Sequence, residues 1–147
     1  MSRSGATRFL LAAALMSIGQ PAAAGPFDDQ VRQAYAAWNG AFNKGDAKAV
    51  AAFYTGEASF LPPTHDVILG REGVERFFAG LFASGVTGHA LDLIDTSGDT
   101  AIVVAAARWS AIGRDASGKE ARFGGVATHV FERQPDGSLK LKLHTFN

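Results

Sequence analysis

Residues 38–72 read WNGAFNKGDAKAVAAFYTGEASFLPPTHDVILGRE, Trp38 to Glu72. Gly45 stops a helix and Asp46 caps the next, which is expected to run over Ala47 to Tyr54. Ala58 to Leu61 is a short strand that Pro62-Pro63 forbids from extending. Val67 to Leu69 leads to Gly70, where Gly70-Arg71-Glu72 opens a further helix.

Upstream, Val31, Ala34, Tyr35, Trp38, Ala41 and Phe42 recur at helical spacing between Pro26 and Asn43. Pro26 suits a first turn, and Asp28 and Asp29 complement the positive end of the helix dipole. Downstream of Gly70, Val74, Phe77, Phe78, Leu81 and Phe82 form one helical stripe. The remainder reads as strands: His89 to Asp95, Thr100 to Ile112, Glu120 to Arg133 and Ser138 to Phe146. In the second of these, Ala101, Val103, Ala105, Ala107 and Trp109 share one face. Helices followed by a run of antiparallel strands give the α+β class.

Residues 1–24 follow a different logic. Arg3 and Arg8 form a basic n-region, Phe9 to Ile18 an apolar stretch, and Gly19-Gln20-Pro21 breaks the helix. Ala22-Ala23-Ala24 then offers a small-residue cleavage site before Gly25, as in a secretory signal peptide. The apolar stretch is shorter than the ~20 residues a bilayer requires. A cleaved, exported chain, periplasmic or secreted, is expected, with residues 25–147 as its single domain and no membrane attachment after cleavage.

Composition narrows the function. The 147-residue chain has 14 basic and 14 acidic residues, and losing Arg3 and Arg8 leaves 12 and 14, a net charge of −2. Such a balance offers nothing to draw nucleic acid. With no cysteine, disulfides, thiolate metal sites and cysteine nucleophiles are all excluded. Four histidines lack any metal-ligand spacing, and neither a phosphate loop, a dinucleotide fingerprint nor a serine-hydrolase elbow occurs. Neither a metal nor a cofactor is expected.

The order and spacing of Gly45-Asp46-Ala47, Phe53-Tyr54, Gly70-Arg71-Glu72, Gly98-Asp99, Asp136-Gly137 and Phe146-Asn147 resemble the nuclear transport factor 2-like superfamily. The likeness is to its SnoaL-like and ketosteroid isomerase-like branch. That resemblance implies a cone-shaped α+β barrel, of the kind also called cystatin-like: N-terminal helices packed on a curved, mainly antiparallel sheet around a pocket. It also implies a homodimer formed through the sheet. Ketosteroid isomerases use an Asp general base with an oxyanion hole of Tyr and protonated Asp. The corresponding positions here fall on Pro62 or Leu61, on Trp38 and on His129, so that proton-transfer set is not carried over.

His129 is the foremost candidate for acid–base work, because an imidazole can accept or donate near neutral pH. His65 is the second, beside Asp66, although adjacent residues on an extended chain point apart. A two-residue Asp136-Gly137 turn would set His129 opposite His144 and Ala127 opposite Phe146. Two readings of the last strand then compete. Simple alternation sends Leu139, Leu141 and Leu143 to the core. The resemblance sends His129, His144 and Phe146 to the pocket and the leucines to a dimer interface. Trp38, Tyr54, Phe60, Phe78 and Trp109 are candidate apolar lining, with Asn147 offering an amide to a polar spot. Arg71 is read as tying helix to sheet. A module binding a small, largely apolar or aromatic molecule is therefore expected. The alternatives are a cofactor-independent isomerase, cyclase, dehydratase or hydrolase using His129, or an oligomerisation module without a ligand.

Overall fold

A computed structural model describes residues 24–147. All of the signal-peptide reading except its last residue, Ala24, lies outside them. Three helices and six strands follow one another: α1 (Asp28–Asn43), α2 (Ala47–Ala51), β1 (Tyr54–Leu61), β2 (Ile68–Leu69), α3 (Gly70–Ala83), β3 (Thr87–Gly98), β4 (Ile102–Arg114), β5 (Glu120–Arg133) and β6 (Leu139–Phe146). One six-stranded sheet has the order β2-β1-β6-β5-β4-β3. Every pairing in it is antiparallel except that of β1 with β6. This is the α+β architecture the sequence predicts. Among the described residues no helix is long and apolar enough to cross a membrane.

The α1 stripe buries Val31, Tyr35, Trp38, Ala41 and Phe42 against the sheet. Pro26 lies in the turn ahead of α1 rather than inside it, and Asp28 and Asp29 occupy the first turn. At the far end, Gly45 N donates to Phe42 O at 2.8 Å, and the Asp46 carboxylate accepts from Ala49 N at 2.9 Å. That cap starts α2 as expected, but α2 stops at Ala51. Tyr54 belongs to β1 instead, paired with Leu141 of β6. Val74 and Phe78 anchor α3 in the core. Arg71 Nε and Nη2 donate to Tyr54 O at 3.3 and 3.0 Å, so Arg71 ties α3 to β1.

The β5–β6 hairpin resolves the two competing readings of the last strand. Its turn has three residues, Pro135, Asp136 and Gly137, closed by Gln134 N donating to Ser138 O at 2.8 Å. Gly137 holds φ at 84°, which glycine adopts without steric cost. Such a turn pairs Arg133 with Leu139 and Phe131 with Leu141. A bulge then intervenes: Val130 pairs with Leu143, leaving Lys142 as the extra residue. Beyond it, His129 faces His144 and Ala127 faces Phe146. The expected register is thus reached by two departures that cancel, a longer turn and a bulge. Because the bulge resets the alternation, Leu139 and Leu141 are buried before it and His144 after it, while Leu143 is only partly buried. Leu139 and Leu141 are core residues, not a dimer interface.

Candidate functional site

A cavity of about 160 Å³ lies between α1, α3 and the sheet. Helix α1 contributes Trp38 and Phe42 to its wall, and α3 contributes Phe78 and Leu81. From the sheet come His89 and Leu91 on β3, Trp109 and Ala111 on β4, Phe123 and Ala127 on β5, and His144 and Phe146 on β6. Val86 closes the space between α3 and β3. The rings pack edge to face: Trp38 on Phe78 at 5.5 Å, Trp109 on Phe146 at 5.4 Å and Phe42 on Phe82 at 4.9 Å between centroids. Such arrangements hold the wall in shape without a ligand.

Among the described residues only His89 and His144 bring titratable side chains to this wall, and each has one ring nitrogen already engaged. His89 Nδ1 lies 2.8 Å from Asn39 Oδ1. A carbonyl oxygen only accepts, so Nδ1 carries the proton and Nε2 keeps its lone pair. His144 Nδ1 lies 2.7 Å from Tyr54 Oη, and His129 Nδ1 lies 2.7 Å from Tyr35 Oη. These nitrogens are the partners found for the two buried phenols among the described residues. A buried O–H needs an acceptor, so each tyrosine donates and each imidazole carries its proton on Nε2.

Burial keeps all of these groups uncharged. It pushes the His89 imidazole down to about 4. His129 falls to about 3, through burial first and then the nearby His89 charge. His144 lies well below its ordinary value, through burial and then the neighbouring His129 and His89. Burial likewise pushes the Tyr35 and Tyr54 phenols up, the Trp38 indole working against it at Tyr54. The Trp38 indole is near enough to Tyr54 to oppose that rise, yet Trp38 Nε1 makes no hydrogen bond of ordinary geometry, the one buried side-chain nitrogen or oxygen among the described residues that makes none. No cluster of three or more His, Asp or Glu able to hold a metal occurs among them either.

Of the residues singled out in the sequence, Trp38, Phe78, Trp109, His144 and Phe146 line this cavity. The other five candidates lie elsewhere. Tyr54 and Phe60 are fully buried in the core behind the wall, because β1 runs beneath α3 and Phe60 packs on Phe77 at 4.9 Å. Asn147 sits at the rim without lining the cavity. Its main-chain oxygen accepts from Trp109 Nε1 at 3.0 Å, and its Oδ1 accepts from Val126 N at 3.1 Å. His65 is exposed in the β1–β2 loop at φ 67°, and Asp66 accepts from Thr64 Oγ1 at 2.7 Å rather than from His65. That loop follows the Pro62-Pro63 stop and never turns back to the cavity.

His129 is 1% exposed and does not line the cavity, although it stands beside His144 on the same face of the sheet. Its ring stands 4.4 Å from that of His144, and it borders a separate void of about 10 Å³ with Tyr35 and Trp38. His89 and Tyr35 are the polar residues that sequence reading passed over. His89 shares its strand face with Leu91 and Leu93, and that period-two pattern was the available signal. Tyr35 lay inside the α1 stripe, where spacing marks burial but cannot reveal a histidine 94 positions away.

No curated protein matches the chain. Among solved structures, a ketosteroid isomerase-like protein from Erwinia carotovora atroseptica superposes with a TM-score of 0.72 at 16% identity, over 82% of this chain and 95% of that one. An NTF2-like protein with a cystatin-like fold from Novosphingobium aromaticivorans gives 0.63 at 16%, over 80% and 79%. A Catenulispora acidiphila protein in complex with S-DNPA gives 0.64 at 18%, over 80% and 91%. Identities this low carry the fold and not the reaction. The model of the SnoaL-like domain matches residues 31–140. This chain therefore belongs to the SnoaL-like domain family, within the NTF2-like fold.

Proposed function

We propose that this protein is an exported binding protein whose cavity holds a small, largely apolar molecule without transforming it. One observation carries the reading: the wall is built of aromatic and aliphatic side chains, and among the described residues its only titratable groups are two imidazoles held neutral. A concave apolar pocket with a few convergent polar atoms is the usual form of a small-molecule site. General acid–base work is poorly served, because a catalytic base acts best with a pKa near the working pH. His129, the foremost catalytic candidate, does not line the cavity and lies beside His144 under α1. Export is supported by the residue 1–24 pattern, and dimerisation through the outer sheet face by exposed Val126 on β5.

Thermal unfolding in the presence of apolar ring compounds tests the reading. A ligand at 100-fold its dissociation constant stabilises the folded state by about 2.7 kcal/mol. The expected result is a raised midpoint with the ligand recovered unchanged. Turnover that persists in His65→Ala and disappears in His144→Gln would replace binding with catalysis. A well-folded sample that no such compound stabilises would remove the binding reading.

A further inference from the structure

We infer that the cavity selects a neutral, single-ring molecule carrying both a hydrogen-bond donor and an acceptor, as a hydroxylated aromatic ketone does. The inference rests on the binding reading above and narrows it to a chemical class. Three features lead to it: the hydrogen-bond complement, the absence of charge and the size.

The two imidazoles on the wall present opposite faces to a ligand. His89 gives its Nδ1 proton to Asn39, so Nε2 is left as an acceptor. His144 takes the Tyr54 proton at Nδ1, so Nε2–H is left as a donor. Each state is held by a partner 2.8 or 2.7 Å away that is itself fixed in the fold: Asn39 on α1 and fully buried Tyr54 at the start of β1. A ligand hydroxyl meets His89 and a ligand carbonyl meets His144. A compound with only one of these groups leaves a nitrogen unpaired in a water-poor site, which costs affinity.

Charge is excluded by the same wall. Among the described residues no lysine, arginine, aspartate or glutamate lines the cavity. An ionised carboxylate or ammonium would lose its hydration without gaining a counter-ion. Size follows from the volume. A cavity of about 150 Å³ encloses benzene, and this one measures about 160 Å³ between Trp38, Phe78, Trp109 and Phe146. One ring with short substituents matches that volume, whereas a four-ring skeleton exceeds it.

The test is titration calorimetry of the full protein with the 2-, 3- and 4-hydroxyacetophenones, acetophenone, benzoate and a four-ring steroid. At least one hydroxyacetophenone should bind about tenfold tighter than acetophenone, as one added hydrogen bond in a dry site allows. Benzoate and the steroid should bind more weakly than that isomer. Nitrogen-15 NMR of the imidazoles supplies a readout that needs no ligand. It should show His89 protonated at Nδ1 and His144 at Nε2. Benzoate or the steroid binding as tightly as the best hydroxyacetophenone, or the reverse tautomers, would overturn the ligand class and leave the binding reading standing. If no ring compound binds to folded protein, both fail.

Discussion

His129 and His144 face each other across β5 and β6 with ring centroids 4.4 Å apart, and each takes a proton at Nδ1 from its own tyrosine. Two imidazoles this close cannot both ionise in a buried site, and the two phenols make ionisation unnecessary. The tyrosines come from α1 and β1, so the pair locks helix and sheet together as well as setting the chemistry of the wall.

Tyr54→Phe tests that lock. It leaves His144 Nδ1 buried without a donor, at a cost of about 1–3 kcal/mol. Urea unfolding should show this as a lower midpoint with an unchanged slope. Imidazole NMR should show the proton of His144 no longer confined to Nε2. A variant as stable as the parent with the His144 tautomer intact would show that Tyr54 does not set it.

Stability should fall on acidification below about pH 6.5. Well above that value His89, His129 and His144 are neutral in both states and contribute no pH dependence. Below it the unfolded chain takes up protons that His89, His129 and His144 refuse while folded, so the slope of stability with pH is positive. The loss continues until the folded-state values of about 4 for His89 and about 3 for His129 are reached. At about pH 5 each strictly buried histidine should cost about 2 kcal/mol relative to neutral pH. Urea midpoints across pH 5 to 7.5 measure it, and a flat profile would mean that the imidazoles reach protons without unfolding.

How far the sequence revealed this site depends on what each pattern encodes. The Gly45-Asp46 punctuation and the stripe from Val31 to Phe42 mark α1 and the cap of α2 directly, because stop signals and burial are local properties. Tyr54 was misplaced since Val50, Ala51, Phe53 and Tyr54 fit a helix as well as the β-bridge that Leu141 provides. The register of β6 was reached from the wrong turn, a bulge at Lys142 having no signature in a run of alternating leucine and lysine. His89 was legible only as part of a strand, for its role depends on Asn39, 50 positions earlier.

Gly125→Ala should loosen the cavity rim. A Cβ there would collide with the main-chain oxygen of Asn147, and backbone on both sides leaves little freedom to yield. The same oxygen accepts from Trp109 Nε1. We expect a loss of about 1–3 kcal/mol, in the range for overpacking. Tryptophan emission should shift to the red as the indole is freed. Unchanged emission and stability would show that Asn147 moves aside without consequence.

Asp46→Ala removes the carboxylate that accepts from Ala49 N. Loss of such a cap costs about 0.5–2 kcal/mol. Because α2 has only five residues, its start has few other restraints. Hydrogen exchange should therefore accelerate in α2 before it does in β4 and β5. Uniform acceleration would place the cap's effect on the whole fold instead.

Deleting a residue inside a strand ordinarily turns every side chain beyond it to the other face, yet deleting Lys142 should not. Lys142 is the extra residue of the bulge, exposed, and bonded only to Glu132 at 2.9 Å, across a pair that is itself largely in solvent. Exposed ion pairs of this kind contribute little. Without Lys142, Leu141 still faces inward, Leu143 opposes Val130, and His144 still meets His129. What is lost is the local twist that the bulge adds to the sheet. Deleting Thr145 is the contrasting case, for it sends Phe146 from the cavity wall to the outer face. Burying a phenylalanine is worth about 1.5–3 kcal/mol, so that deletion should be the more damaging in urea unfolding. It should also abolish the packing of Trp109 on Phe146. Equal damage from the two deletions would mean that the bulge is needed for curvature, and that sheet shape rather than side-chain parity sets the cost in β6.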